Sequence, residues 1–215
     1  MRPPDAGPSV AELLERLRPE LTAAGLATGL ALATEPRLAP AGPGEAAAVT
    51  AMSGRRRSEF LAGRLAARRA LRSVGLECGD VPRVGRLPRF PPGRAASISH
   101  SAGIAVAVAR APGHGTPLGC DLELRPLPPG AARLVLREDE EHLLGAWSVT
   151  CLFSAKEAAW KALVAGGRAG GTLRDVRAAP SGAGLLRVVP RADPGRAVLV
   201  RVATAGPGTF SVVLA

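Results

Sequence analysis

Ser9 followed three residues later by Glu12 is the pattern of a capping box, and Leu13, Leu14 and Leu17 continue it as the apolar stripe of a first helix. The longest helical pattern is SGRRRSEFLAGRLAARRALRSV at 53–74. Phe60, Leu61, Leu65 and Leu71 fall on its inward side, Arg57, Arg64, Arg68 and Arg72 recur at helical spacing on another, and Gly75 supplies a stop. GRLPRFPPGR at 85–94 predicts a loop with extended segments, SISHS and IAVAVA predict strands, and APGHGTP at 111–117 predicts a break. That break divides the chain into halves at 1–112 and 113–215. In the second half LGCDLEL (118–124) predicts a strand, LREDEEHLL (136–144) a short helix and residues 150–165 a longer one. RVV (187–189), AVLVRVAT (197–204) and TFSVVLA (209–215) predict further strands. Both halves close on a glycine-led apolar strand, GIAVAVA and GTFSVVLA, which points to two similar α/β halves.

Composition narrows this picture. A chain of 215 residues can bury a substantial core, and 47% hydrophobic against 21% charged residues is a globular balance. Aromatics make up only 3%, so the core is expected from Leu, Val and Ala. Cys78, Cys120 and Cys151 are odd in number and far apart, which suits reduced thiols in a cytoplasmic protein rather than a disulfide frame or a zinc site. The apolar run AAGLATGLALA is too short to span a bilayer, and Glu12, Glu15, Arg16 and Arg18 ahead of it do not suit a signal peptide, so no membrane association is expected. A net charge of +10 calls for an anionic partner, whether nucleic acid, anionic lipid, a phosphorylated small molecule or an acidic protein, unless the arginines simply form a solvated face.

The candidate chemistry lies in the second half. Among 28 basic residues the only lysines are Lys156 and Lys161, on either side of Glu157 in FSAKEAAWK, and the chain has no Tyr, Asn or Gln. In a composition tilted towards Arg, Ala, Gly and Pro, a retained lysine pair points to chemistry that a guanidinium does not replace. Asp121 and Glu123 alternate onto one face of the strand GCDLEL, with Cys120, Leu122 and Leu124 on the other. Phe153, Glu157 and Lys161, four apart, share a helix face. Packed against the strand, that helix aims Glu157 at the same point as the other two carboxylates. Three hard oxygen donors without a His or Cys cluster suit Mg²⁺ and not zinc. A solvated strand edge and a surface Glu–Lys pair are the plainer alternatives.

GCDLE followed by FSAKEAAWKA resembles the signature of the surfactin-type 4′-phosphopantetheinyl transferases, GxDxE then W/F-S-x-K-E-x-x-x-K. RRSEFLAGRLAARRAL, PRFP and SISHS are similar to the enterobactin-synthase branch of that family, and the resemblance runs from about residue 55 to residue 163. It implies two pseudo-twofold-related α/β (α+β) halves in one monomeric chain, with coenzyme A in the cleft between them. Residues 1–112 would make nucleotide contacts, and 113–215 would bind metal and carry catalysis. The implied reaction moves the phosphopantetheine arm of coenzyme A onto a serine of an apo acyl, peptidyl or aryl carrier protein, as in siderophore and other secondary metabolism. By this resemblance Asp121, Glu123 and Glu157 would hold Mg²⁺ on the coenzyme A diphosphate. Glu157 would take the serine proton, and Lys161 would neutralise or protonate the departing bisphosphate. Lys156 would contact phosphate or support the site. Ser99 and His100 match a pair that contacts the 3′-phosphate, and Arg56, Arg64, Arg86 and Arg89 are candidates for the nucleotide phosphates.

The sequence departs from the pattern at Phe90, where the branch more often has Trp, and at Phe153, where the surfactin branch has Trp. The family's accessory acidic residue falls within REDEE, with Glu140 chosen over the adjacent Asp139 and Glu141. The basic charge suits both coenzyme A and an acidic carrier protein. The rivals are a nucleic-acid-binding module, which would not need the DxE, Glu157 and lysine set, and a non-catalytic carrier-binding homologue, which would not preserve it.

Overall fold

The computed structural model describes residues 8–85, 87–115, 117–164 and 171–215. The chain forms two compact units, Arg18–Gly115 and Thr116–Ala215, the latter joined by the leading segment Met1–Leu17. The division falls within α1 (Val10–Ala23), whose start is the expected capping box: Glu12 Oε2 accepts from Ser9 N at 2.7 Å, and Ser9 Oγ accepts from Glu12 N at 3.3 Å. Among the described residues no helix is long and apolar enough to cross a membrane.

The Arg18–Gly115 unit holds β1 (Leu26–Leu32), α2 (Pro43–Val49), α3 (Gly54–Ser73), β2 (Arg83–Val84), β3 (Leu87–Pro88), β4 (Ala96–Ser101) and β5 (Ile104–Arg110). β1, β5 and β4 form an antiparallel sheet in that order, and β2 and β3 a small hairpin. The core between α3 and the sheet is built of small side chains, among them Ala31, Ala62, Ala66, Ala70, Ala105 and Ala107. Gly29 of β1 is part of this packing, because a Cβ there would run into the backbone of α3 at Ala66 and Ala70. The pattern gave no strand over 26–32, where Ala, Leu and Gly carry little β propensity. Register pairing with the whole length of β5, from Leu26–Arg110 to Leu32–Ile104, decides the conformation instead.

The second unit holds β6 (Cys120–Glu123), a 3₁₀ turn at Pro129–Ala131, α4 (Ala132–Val135), a 3₁₀ helix at Glu138–Gly145 and α5 (Val149–Val164). A 3₁₀ turn at Leu173–Asp175, β7 (Val176–Gly182), β8 (Leu185–Pro190), β9 (Val198–Ala205) and β10 (Gly208–Val213) follow. The five strands form one antiparallel sheet in the order β6-β10-β9-β8-β7. The core beneath α5 contains Leu152, Ala155, Ala158, Leu186, Val188 and Val200. The arrangement β6-β10-β9 with α5 repeats β1-β5-β4 with α3, and the α/β class read from the sequence is borne out. The close approach is repeated too: a Cβ on Gly119, just before β6, would collide with the backbone of α5 at Ala158 and Ala162.

Each unit also buries one glutamate completely. Glu45 of α2 accepts at Oε1 from Arg68 Nη1 (2.6 Å) and from Val81 N (3.0 Å), and at Oε2 from Ala41 N (3.0 Å). Asp80 caps α2 above it, accepting from Gly44 N at 2.7 Å and Glu45 N at 2.9 Å. Glu140 accepts from Lys156 Nζ (2.8 Å), Arg191 Nη2 (2.8 Å), Ala178 N (2.8 Å) and Arg137 N (3.3 Å). In both units a buried carboxylate on a short helix binds a cation from the long helix, an N–H of a distant extended segment and an N–H just before its own helix. An ionised carboxylate leaves water only when donors surround it in this way.

Removing Glu140 strands the Lys156 ammonium in the core. Glu140→Ala is expected to cost about 3–5 kcal/mol in urea unfolding, against about 0.5 kcal/mol or less for the exposed Glu141→Ala. Gly119→Ala forces α5 away from β6 and is expected to cost about 1–3 kcal/mol in the same assay.

Candidate active site

Because Gly119 and the small Ala158 and Ala162 let α5 lie directly against β6, the side chains next to them meet. Asp121 is buried, and its Oδ1 accepts from Lys161 Nζ at 2.9 Å; the same ammonium donates to Cys120 O at 2.9 Å. Glu157 sits one helical turn before Lys161. Burial lifts its carboxyl above the ordinary glutamate value; Lys161 opposes this and the Asp121 charge adds to it. Burial on its own would lower the Lys161 ammonium, but Asp121, Cys120 and Glu157 outweigh it and hold the group above the usual lysine value. The result is a half-buried triad of Asp121, Glu157 and Lys161, with a tightly held cation beside a carboxylate that has raised affinity for a proton.

Glu123 lies two residues along the same strand, partly buried, with Oε1 3.3 Å from Arg125 N. Among the described residues no three His, Cys, Asp or Glu side chains are gathered as a metal site. The donor chemistry still fits a hard cation. The Asp121 charge acts on the Glu157 carboxyl, and directly across the ladder from Asp121 the buried Ser211 hydroxyl has no hydrogen-bond partner among the described residues.

Lys156 stands apart from this group. It is fully buried, and it donates to the Glu140 carboxylate, Val135 O at 2.8 Å and Leu173 O at 3.3 Å. Burial, partly offset by Glu140, lowers its basicity. Three acceptors around one nitrogen match a compact ammonium with three hydrogens and not a planar fork, a packing reason for keeping lysine here. Glu140, chosen from REDEE as the accessory acid, is the buried partner of that ammonium.

In the Arg18–Gly115 unit, Arg56 Nη1 lies 3.5 Å from His100 Nε2 at the start of α3. The first turn of this helix carries Arg55, Arg56 and Arg57, no acidic residue and no side-chain cap from Ser53. Cations at a helix N-terminus oppose its dipole, so this end gathers positive charge and N–H donors together. Ser99 and His100, adjacent on β4, point to opposite faces, and only His100 joins Arg56. Arg64 is buried, with Nε donating to Val81 O at 2.8 Å and its guanidinium 4.3 Å above the Phe60 ring; burial lowers its pKa to about 10. Arg89 is exposed, with its backbone N bonded to Pro82 O at 2.8 Å, and Arg86 lies outside the described residues.

Two helix arginines that read as a solvated face are engaged in the fold: Arg68 on Glu45, and Arg69 on both oxygens of Glu35 at 2.8 Å and on Leu30 O. The signal available for them was the scarcity of acids, since Glu35 and Glu45 stand almost alone in that stretch. The sequence reading also passed over the polar residues beneath α5. Ser154 Oγ donates to Asp121 O at 3.4 Å, and Thr209 Oγ1 lies 3.4 Å from Cys151 Sγ, both buried. Hydroxyls inside the apolar runs TFSVVLA and CLFSA were the visible sign.

Comparison with known proteins agrees with this anatomy. Residues 44–110, from α2 to the end of β5, match the family model of the 4′-phosphopantetheinyl transferase N-terminal domain. Enterobactin synthase component D of Salmonella typhi is 39% identical over 119 residues, covering 50% of this chain and 48% of that protein. The protein of the same name from Salmonella typhimurium is 38% identical over 119 residues, with the same shares. The chain thus spans about half the length of the curated relatives it matches. Residues 44–110 thus match the N-terminal domain of the 4′-phosphopantetheinyl transferases, and about half of the chain is similar to enterobactin synthase component D.

Proposed function

We propose that the protein transfers the 4′-phosphopantetheine arm of coenzyme A to a serine of an apo acyl, peptidyl or aryl carrier protein, with Mg²⁺, releasing adenosine 3′,5′-bisphosphate. The observation that carries this reading is the meeting of Asp121, Glu157 and Lys161, which unites the GxDxE and FSxKExxxK motifs in one half-buried group. The name of the relatives, enterobactin synthase component D, favours a carrier protein of siderophore assembly as acceptor.

In this mechanism the serine oxygen attacks the phosphorus that bears the pantetheine arm. The P–O bond to the adenosine bisphosphate breaks and its electron pair leaves on that oxygen. The serine proton passes to Glu157, directly or through a water. Lys161, kept charged by Asp121, offsets negative charge on the departing bisphosphate. Asp121, Glu123 and Glu157 would hold Mg²⁺, which when bound supplies positive charge to the diphosphate. Arg56 with His100, and Arg89, supply cationic donors for the nucleotide phosphates, together with Ser99 through its strand and Arg86. Lys156 and Arg64 act through packing, since both are buried and bonded to protein acceptors.

Intact-mass spectrometry of several apo carrier proteins with coenzyme A and Mg²⁺ tests the reaction. The expected result is a gain of one phosphopantetheine that chelation abolishes and that Glu157→Ala and Lys161→Arg slow by about 10²–10⁴-fold. Retained coenzyme A binding with no mass gain on any carrier would replace transfer by the non-catalytic carrier-binding reading.

The state of Glu157 also predicts a pH effect. Its folded pKa exceeds the unfolded value of 4.5, so the stability linked to its proton is full below 4.5 and is lost as pH rises through the folded pKa. Glu157→Gln is therefore expected to melt higher than the natural chain at neutral pH, with the gap closing towards about pH 4 in thermal melts.

A further inference from the structure

We propose that Ser211 is a positioning residue for Asp121: its hydroxyl holds the Asp121 carboxylate in place when the Lys161 ammonium turns from Asp121 to phosphate. This rests on the functional reading above.

Ser211 on β10 stands directly opposite Asp121 on β6 in the antiparallel register, so the two side chains share a face of the sheet. It is completely buried, yet its Oγ has no hydrogen-bond partner among the described residues. Its polar neighbours under α5 are engaged: Ser154 Oγ donates to Asp121 O, and Thr209 Oγ1 pairs with Cys151 Sγ. Along β10 the adjoining positions Phe210, Val212 and Val213 are apolar and fully buried. An apolar residue at 211 would fit this strand, and a buried hydroxyl without a partner is destabilising. A hydroxyl can rotate, and the acidic residue paired with it across the ladder is Asp121. In the present arrangement Lys161 Nζ occupies Asp121 Oδ1. In the proposed reaction that ammonium is drawn to the leaving bisphosphate, and Asp121 then needs another donor to keep its orientation. Ser211 supplies it. Partners of this kind, acting behind a metal-binding carboxylate, typically alter metal affinity or activity by about 10–100-fold when removed.

The test compares the natural chain with Ser211→Ala and Ser211→Thr, with three readouts. The first is the melting temperature without ligands. The second is the Mg²⁺ dependence of thermal stabilisation in the presence of coenzyme A, and the third is carrier loading. The expected result is that Ser211→Ala melts about 2–4 °C higher, because an unbonded buried hydroxyl has gone. It should also need about 10–100-fold more Mg²⁺ and lose kcat, with KM for the carrier unchanged. Ser211→Thr, which keeps the hydroxyl, should restore the Mg²⁺ response. A lower melting temperature for Ser211→Ala would show a hydroxyl that serves the fold and would overturn the inference. An unchanged Mg²⁺ response in a chain that loads carriers would overturn it alone. A natural chain that neither responds to Mg²⁺ nor loads any carrier would overturn the functional reading, and this inference with it.

Discussion

A carboxylate removed from water has to be met by donors from several directions, and in each unit one buried glutamate imposes that demand on the elements around it. Glu140 gathers Lys156 from α5, Arg191 from beyond β8 and the N–H of Ala178 on β7. The consequence for α5 is rotational. With Lys156 directed to Glu140, the next residue, Glu157, is turned by about 100° around the helix axis, and Lys161 follows one turn later on the same side as Glu157. The site on β6 thus depends on an ion pair that belongs to the other side of the helix. Two lysines five residues apart thus serve different partners: Lys156 binds the buried Glu140, and Lys161 binds Asp121 on β6.

The same arrangement in the Arg18–Gly115 unit ties α3 through Arg68 to Glu45, and Asp80 holds the N-terminus of α2 against the same segment. The arginines of α3 therefore fall into separate populations. Arg55, Arg64, Arg68, Arg69 and Arg72 bond to carbonyls or carboxylates of their own unit, whereas Arg56 lies beside His100 and Arg57 joins it in the N-terminal turn. A net charge of +10 is a poor guide to ligand binding until this partition is known.

Much of this was legible in the sequence, for particular reasons. The capping box at Ser9, the periodicity of α3 and α5 and the alternation in GCDLEL are local signals, and each element appears within a residue or two of its expected bounds. The α/β class followed from them. Less local facts were hidden. β1 has the composition of a helix and is a strand because β5 pairs with it along its whole length. REDEEHLL forms a 3₁₀ helix after an extended Arg137, an outcome of Glu140 turning inward. The retained lysines were visible as an anomaly, but their division between Glu140 and Asp121 required knowing which acceptors lay near each. Ser211 gave no sign, because a serine in a strand is unremarkable until its partner across the ladder is known to be Asp121.

The close approach at Gly119 has an evolutionary consequence. The separation of β6 from α5 is set there by backbone against backbone, at the residue before Cys120 and alongside Ala158 and Ala162. Side-chain volumes elsewhere under the helix can therefore drift without moving Asp121 relative to Glu157 and Lys161. A chain so rich in alanine, glycine and arginine can absorb that drift in its core, because the spacing of Asp121, Glu157 and Lys161 is carried by a position where even one added methyl group meets backbone.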